Sequence, residues 1–322
     1  MGLKIRIVRE AGGLGDTIRI LPVLREYRRR YPNADIWVYA PGFYYPIYLH
    51  SGVTFSFIPT PFGQGRRRRL APLDASRWPY LAFPKGVTKW DLEVDEYCPG
   101  FQYELDKGYK VDKNRTQLFL EAAKLWPADP LPRYYTTPKE DAAVLAYIGE
   151  HGLKDRQLIA LQPFSTDRGR DWPEEHWICL ANSIQNAGHK VVILDSQNGR
   201  TRRFRQLRML GKPLQFLASF LKYCDLLICP DSGLFHLAAA VNTPALGLFA
   251  SQPGALMGKH YPLHSYLEPD RRQVKAPCPH WPCIWRRLPQ CWPNKIKAPC
   301  PVLRQLPVLT VFRRALELIN AS

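Results

Sequence analysis

No apolar stretch in this chain approaches the roughly 20 residues that a membrane-crossing helix needs, because Lys, Asp, Pro or His interrupts each one early. A bilayer-spanning protein is therefore not expected. The opening Met1-Gly2-Leu3-Lys4-Ile5-Arg6 lacks the apolar core of an export signal and departs from the myristoylation pattern at Arg6, so a cytoplasmic location is expected. Acids are also scarce: 28 Asp and Glu face 45 Lys and Arg, for a net charge of +17. The shortage is uneven, with 23 basic and 18 acidic residues in 1–155 against 22 and 10 in 156–322. Such a field attracts polyanions, whether nucleotide phosphates, a phosphorylated glycolipid, an anionic membrane surface or nucleic acid; a merely soluble surface is the plainer alternative. Core material is not lacking. With 322 residues, 46% hydrophobic and 12% aromatic, the chain can fill two cores, which excludes wholesale disorder.

Lys4 to Val8 alternates charged with β-branched residues, a glycine turn follows at Gly12, Gly13 and Gly15, and Ile18, Leu21, Leu24 and Tyr27 then recur at helical spacing. Further strands are predicted at Asp35–Ala40, Val53–Ile58 and near Trp90–Val94, the last within a Pro-, Arg- and aromatic-rich stretch of long loops over 60–115. Thr116–Trp126 and Glu140–His151 read as helices on either side of the Pro-rich passage 127–138. The second half restarts with a strand at Leu158–Leu161 and a helix opening at Trp172-Pro173-Glu174, with Asp171 as its cap. Strands at Lys190–Leu194, Asp225–Cys229 and Pro244–Phe249 alternate with helices at Arg200–Leu210, Phe216–Tyr223 and Gly233–Ala240, and a last helix spans Val308–Ile319. Strands alternating with helices imply an α/β protein with parallel sheets, divided into 1–150 and 151–322, two Rossmann-like domains facing across a cleft. Ligands are expected beyond the carboxyl ends of the strands.

Three loops sit at such ends. The first carries the glycines, but it is not a clean GxGxxG and does not imply NAD; Asp16 beside it reads as a helix cap or a catalytic carboxylate. The second, Gln162 to Asp171, offers the hydroxyls of Ser165 and Thr166 and the guanidiniums of Arg168 and Arg170, groups that suit a diphosphate; a solvated polar loop is the alternative. In the third, Asp231-Ser232-Gly233-Leu234, free amides begin a helix, and His236 lies one turn in, where a His is more often a packed or capping residue.

Leu14-Gly15-Asp16-Thr17 ahead of Leu21-Pro22, the run from Ser165-Thr166 to Arg170-Asp171-Trp172-Pro173-Glu174-Glu175-His176-Trp177, and Asp231 to Ala240 before Asn242-Thr243-Pro244 resemble glycosyltransferase family 9, the ADP-heptose:lipopolysaccharide heptosyltransferases and their relatives. The resemblance spans roughly 4–250, is strongest in the second half, and is not visible over about 60–150. It implies a GT-B fold in which the first domain binds the acceptor and the second the nucleotide-diphosphate sugar, with inversion at the anomeric carbon and no cofactor or metal required for transfer. Asp16 matches the family's catalytic carboxylate, which takes the acceptor hydroxyl's proton. Ser165 and Thr166 match its diphosphate-contacting hydroxyls, and Arg170 stands where heptosyltransferases carry a phosphate-binding Lys. Asp231, Ser232 and Gly233, with Leu234 and His236 following, match the loop that holds the leaving diphosphate. Asp195, ending its strand, is the candidate for the nucleoside ribose. Ala250-Ser251-Gln252-Pro253 departs from the family's usual Gly-Pro-Thr. The donor expected is ADP-heptose or a similar nucleotide sugar, and the acceptor an anionic cell-surface glycan or glycolipid such as lipopolysaccharide core. Hydroxylated bases in DNA, which would have to be flipped out, are the alternative acceptor, and a non-catalytic nucleotide-sugar or polyanion binder is the alternative function.

Cys179, Cys224 and Cys229 lie in apolar or strand contexts that predict buried reduced thiols. Cys278, Cys283, Cys291 and Cys300 cluster instead in a Pro- and Trp-rich loop, 272–302, too poor in aliphatic residues to form a core. Four thiolates there would close a structural zinc or iron site, and some family 9 members share such a cluster; two disulfides or free thiols are the alternatives. The final helix is expected to pack back on the first domain. Arg66–Arg69 and the run Arg200 to Arg205 are either solvated faces or contacts for a polyanion, with peripheral attachment to the inner membrane surface as one form of it.

Overall fold

Strand β1 (Lys4–Val8) is buried from Ile5 to Val8, the pattern of a parallel strand covered on both faces. In the computed structural model, which describes residues 2–10, 12–61, 83–85, 87–95, 103, 106–107, 111–196, 199–250, 252–270 and 300–321, the chain divides into two units, Met1–Tyr135 and Thr136–Ser322. In the first, β1 pairs with β2 (Asp35–Pro41) and β4 (Leu92–Asp95), and β2 with β3 (Ser56–Thr60), all parallel, in the order β3-β2-β1-β4. Val8 and Tyr39 pack with Trp37, Ile58 and Trp90. Helices α1 (Leu14–Arg19), α2 (Leu21–Arg30), α3 (Tyr45–Leu49) and α4 (Arg115–Ala122) complete the described part. Pro22 opens α2 in its first turn, and the Asn114 side chain caps α4 by accepting the Gln117 N–H at 3.0 Å.

The second unit begins with α5 (Pro138–Glu150), started by a capping box in which Thr137 and Glu140 exchange hydrogen bonds. The division at Tyr135 differs from the 150/151 boundary read from the sequence, for a local reason. Asp141 on α5 accepts from Ser219 Oγ at 2.6 Å and Lys222 Nζ at 2.7 Å, both on α7 (Leu214–Lys222). Its remaining elements are β5 (Leu158–Leu161), α6 (Glu174–Asn186), β6 (Lys190–Asp195), β7 (Leu207–Leu210), β8 (Leu226–Pro230), α8 (Gly233–Ala240), β9 (Ala245–Leu248), α9 (Gly254–Met257), β10 (His264–Leu267) and α10 (Val308–Asn320). The sheet runs β10-β9-β8-β5-β6-β7. Counted within the unit from the far edge, this is the dinucleotide-fold order 3-2-1-4-5-6, whose switch point lies between β5 and β8.

The second core gathers Ile159, Leu161, Ile193, Ile228 and Leu248 with Trp172 and Trp177, the two indoles meeting edge to face at 5.3 Å. Val311, Ala315 and Ile319 bury the apolar face of α10 in this same core. Three expectations are corrected. Arg200–Leu210 is not a helix but a turn leading into β7, in which Phe204 and Met209 bury while Arg202, Arg203, Arg205 and Arg208 stay exposed. Cys179 is exposed on α6, whereas Cys224 and Cys229 are buried as expected. Asp171 does not cap α6; Pro173 holds that position without a side-chain cap. The strand β10 escaped sequence reading because its half-buried His-Ser-Tyr-Leu is an edge, without an apolar run. Cys278, Cys283, Cys291 and Arg66–Arg69 lie outside the described residues. Among the described residues no helix is long and apolar enough to cross a membrane.

Candidate active site

In the first unit the chain leaves β1 at Arg9 and turns through Gly12, whose φ of +99° suits glycine and whose Cβ, were there one, would collide with Arg9 Nη2 and Asp16 Oδ2. The Tyr44 hydroxyl donates to the Gly12 carbonyl at 3.2 Å. Gly13, not Asp16, occupies the cap position of α1, and no side chain caps it. Gly15 and Asp16 lie in the first helical turn. The Asp16 carboxylate instead sits among three guanidiniums: Arg115 Nη1 at 2.6 Å, Arg9 Nη2 at 3.5 Å and Arg19 Nη1 at 3.9 Å. The side chains of Arg9 and Arg19 are 1% and 3% exposed, those of Asp16 and Arg115 15% each. Burial alone would raise the Asp16 carboxyl, but the charges of Arg115, Arg9 and Arg19 and the Arg115 hydrogen bond outweigh it, holding the group well below the usual carboxylate range. This is a carboxylate kept ionised and oriented, at the edge of solvent.

In the second unit, the loops after β5 and β8 lie side by side at the switch point. Ser232 Oγ donates to Gln162 Oε1 at 2.6 Å. Arg170 Nη1 is 3.4 Å from Asp231 Oδ2, and its Nε is 3.7 Å from Asp167 Oδ2. Such long pairs leave a guanidinium able to turn to an anion that approaches both loops. Asp167 accepts the Gly169 N–H at 3.0 Å and so starts the 3-10 turn Arg168–Arg170. The Ser165 hydroxyl is engaged locally, donating to the Asp167 carbonyl at 2.6 Å, while Thr166 and Arg168 are exposed. Ser232, Gly233 and Leu234 present the amino end of α8, all eight of whose residues except Gly233 are buried. His236 is a packed residue, buried with Nδ1 2.9 Å from the Tyr261 hydroxyl. Asp195 ends β6 and accepts from Thr201 Oγ1 at 2.8 Å.

The structure thus brings Ser165, Arg170, Asp231 and Ser232 together, and puts Asp16 in a separate cluster of the other unit. Sequence reasoning missed Arg9, Arg19 and Arg115 around Asp16, and Asp171 and Arg200 around Ser165. Arg19 stands at i,i+3 from Asp16, a spacing the sequence does show, whereas Arg115 stands 99 residues from Asp16 and Arg200 stands 29 from Asp171, separations that leave no local signal.

A family model described as glycosyltransferase family 9 (heptosyltransferase) matches residues 101–265, half of the chain. The chain belongs to this family. It is a glycosyltransferase, and its two Rossmann-like units are those of the GT-B fold. This family 9 protein is 24% identical over 288 residues to lipopolysaccharide heptosyltransferase 2 of Salmonella typhimurium, covering 73% of this chain and 80% of the relative. Its fold is similar to that of the glycosyl transferase family 9 protein of Veillonella parvula, with TM-score 0.70 and 15% identity over 99% of this chain and 98% of the other. It is likewise similar to the Escherichia coli iron-containing dodecameric glycosyltransferase TibC, with TM-score 0.64 and 14% identity over 99% of this chain and 76% of the other.

Proposed function

We propose that this family 9 protein is an inverting, metal-independent heptosyltransferase that moves heptose from ADP-heptose to a hydroxyl of an anionic lipopolysaccharide core. The observation that carries the reading is the pairing of the two loops at the switch point of the second sheet, Arg170 with Asp231 and Ser232 with Gln162, where a Rossmann-like sheet binds its ligand. In this reading Ser165, Thr166, Arg168, Arg170 and the amides of Ser232 and Gly233 receive the diphosphate, and Asp195 receives the ribose. As the C–O bond to the anomeric carbon forms, the acceptor oxygen loses its proton to Asp16, and the C–O bond to the diphosphate breaks with its electron pair leaving on ADP. An ionised Asp16 is a weak base, but proton transfer need become favourable only as the oxygen gains positive charge, so the carboxylate's geometry matters as much as its pKa. The basic surplus of the chain, +17 overall, favours a phosphorylated acceptor.

Cys278, Cys283, Cys291 and Cys300 are proposed to hold a structural zinc or iron. Cys300 is half-buried against the second core, and its carbonyl accepts the Arg304 N–H at 3.0 Å, a fixed anchor compatible with one corner of a thiolate site. The similarity to an iron-containing relative supports iron. The test of function is incubation with ADP-heptose and a heptose-deficient lipopolysaccharide core, with and without EDTA, followed by NMR of the product. Transfer that persists in EDTA, with the anomeric configuration inverted, is expected; no transfer from ADP-heptose removes the reading, and retained configuration removes its inverting part.

A further inference from the structure

The Ser165 peptide is gripped from both sides. Its N–H donates to Asp171 Oδ1 at 2.7 Å, and its carbonyl accepts from Arg200 Nη1 at 3.3 Å. Arg200 Nη2 pairs with the other oxygen of Asp171, so peptide, carboxylate and guanidinium close a ring. The Arg200 guanidinium lies 4.0 Å above the Phe164 ring, which limits its freedom to swing. Asp171 is 2% exposed; burial pushes its carboxyl up, and the Ser165 N–H and Arg200 oppose that shift. Thr201, next in sequence to Arg200, donates to Oδ2 of the ribose candidate Asp195 at 2.8 Å. Two adjacent residues, Arg200 and Thr201, therefore reach the loop proposed for the diphosphate and the acid proposed for the ribose.

We propose that Arg200, through its ring with Asp171 and the Ser165 peptide, is a positioning residue for the donor: it holds the Ser165–Arg170 loop in the shape that accepts a nucleoside diphosphate. The proposal rests on the donor-site reading of that loop. Arg200 acts on the peptide and on Asp171, not on the reacting atoms, so its loss should show in donor binding and leave the chemical step alone. A role in stability alone would lower the melting temperature and leave ligand preference unchanged.

The experiment compares wild type with Arg200→Gln, Arg200→Lys and Asp171→Asn by calorimetric titration with ADP and with adenosine, by kcat and KM for donor and acceptor, and by melting. Arg200→Gln is expected to weaken ADP about tenfold or more and to raise the donor KM alike, with adenosine affinity, kcat and acceptor KM within about twofold. Arg200→Lys restores part of the loss, since Lys keeps the charge without the fork. Asp171→Asn keeps an acceptor for the Ser165 N–H and falls between. Wild-type affinity for ADP in folded Arg200→Gln overturns the positioning role, as does an equal loss for ADP and adenosine or a fall confined to kcat. Should Arg200→Gln fail to fold, the same criteria apply to Arg200→Lys and Asp171→Asn. A wild-type protein that binds no nucleoside diphosphate overturns the donor-site reading and the positioning role with it; unchanged binding in the variants overturns the positioning role alone.

Discussion

The two units share the strand order around a central first strand, yet they organise charge in opposite ways. In the first, three guanidiniums converge on the single carboxylate of Asp16, leaving positive charge in excess around a group that stays ionised. In the second, Arg168, Arg170 and Arg200, the last from the turn after β6, stand among three acids, Arg170 beside Asp167 and Asp231 and Arg200 paired with Asp171. A cluster that fixes one carboxylate suits the management of a proton. A balanced cluster at a helix amino end suits an anion that must arrive and leave, since amides and one loosely paired Arg provide attraction without a deep electrostatic well. In the proposed reading, one sheet topology serves two tasks, by the side chains hung on equivalent loops.

The sharpest break of this division is at Asp16. Asp16→Asn is expected to lower kcat by about 10²–10⁴, with donor affinity within a few fold; near-normal turnover in a transfer assay ends the general-base role. The complementary change in the other unit is Arg170→Ala, which should weaken ADP binding about tenfold or more and leave the chemistry of bound donor largely intact, with Lys recovering only part. Equal donor affinity in wild type and the Ala variant removes Arg170 from the site. If instead Asp16→Asn harms donor binding and Arg170→Ala harms kcat, the division itself is wrong.

A pH series sharpens the first cluster. The Asp16 carboxyl is held below its unfolded value of about 3.9, so its ion pairs contribute stability that is present above that pH and is lost as pH falls through the folded value. Wild-type kcat/KM should show no acid limb from Asp16 above about pH 4, whereas Arg115→Ala, which removes the 2.6 Å partner, should move the limb upward by about a unit or more. An unmoved limb shows that Arg115 does not tune the carboxylate. The smallest effect on turnover is expected at the cysteine cluster. Cys291→Ser should lower Tm by roughly 5 °C or more while kcat stays within about twofold, and protein purified without added metal should carry about one equivalent of iron or zinc by elemental analysis. Less than about a tenth of an equivalent refutes the site.

The alternation of apolar strands with capped helices was enough to place the parallel α/β plan, since a buried strand must be apolar and a helix must bury one stripe, and both leave a period in the chain. The glycine turn, the Ser165–Arg170 loop and the Asp231–Gly233 loop were legible for the same reason: each must stand between a strand and a helix. The turn after β6 reads as a helix in the sequence because its arginines mimic a basic helix face, while burial of Phe204 in the second core and pairing of β7 with β6 decide its shape. What tertiary structure alone decided was partnership. The nearest guanidinium to Asp16, that of Arg115, and the Arg200 that grips Ser165 together with Asp171 come from 99 and 29 positions away. A charge pair across that separation leaves no period in the chain, because it is set by how strands and loops pack in space.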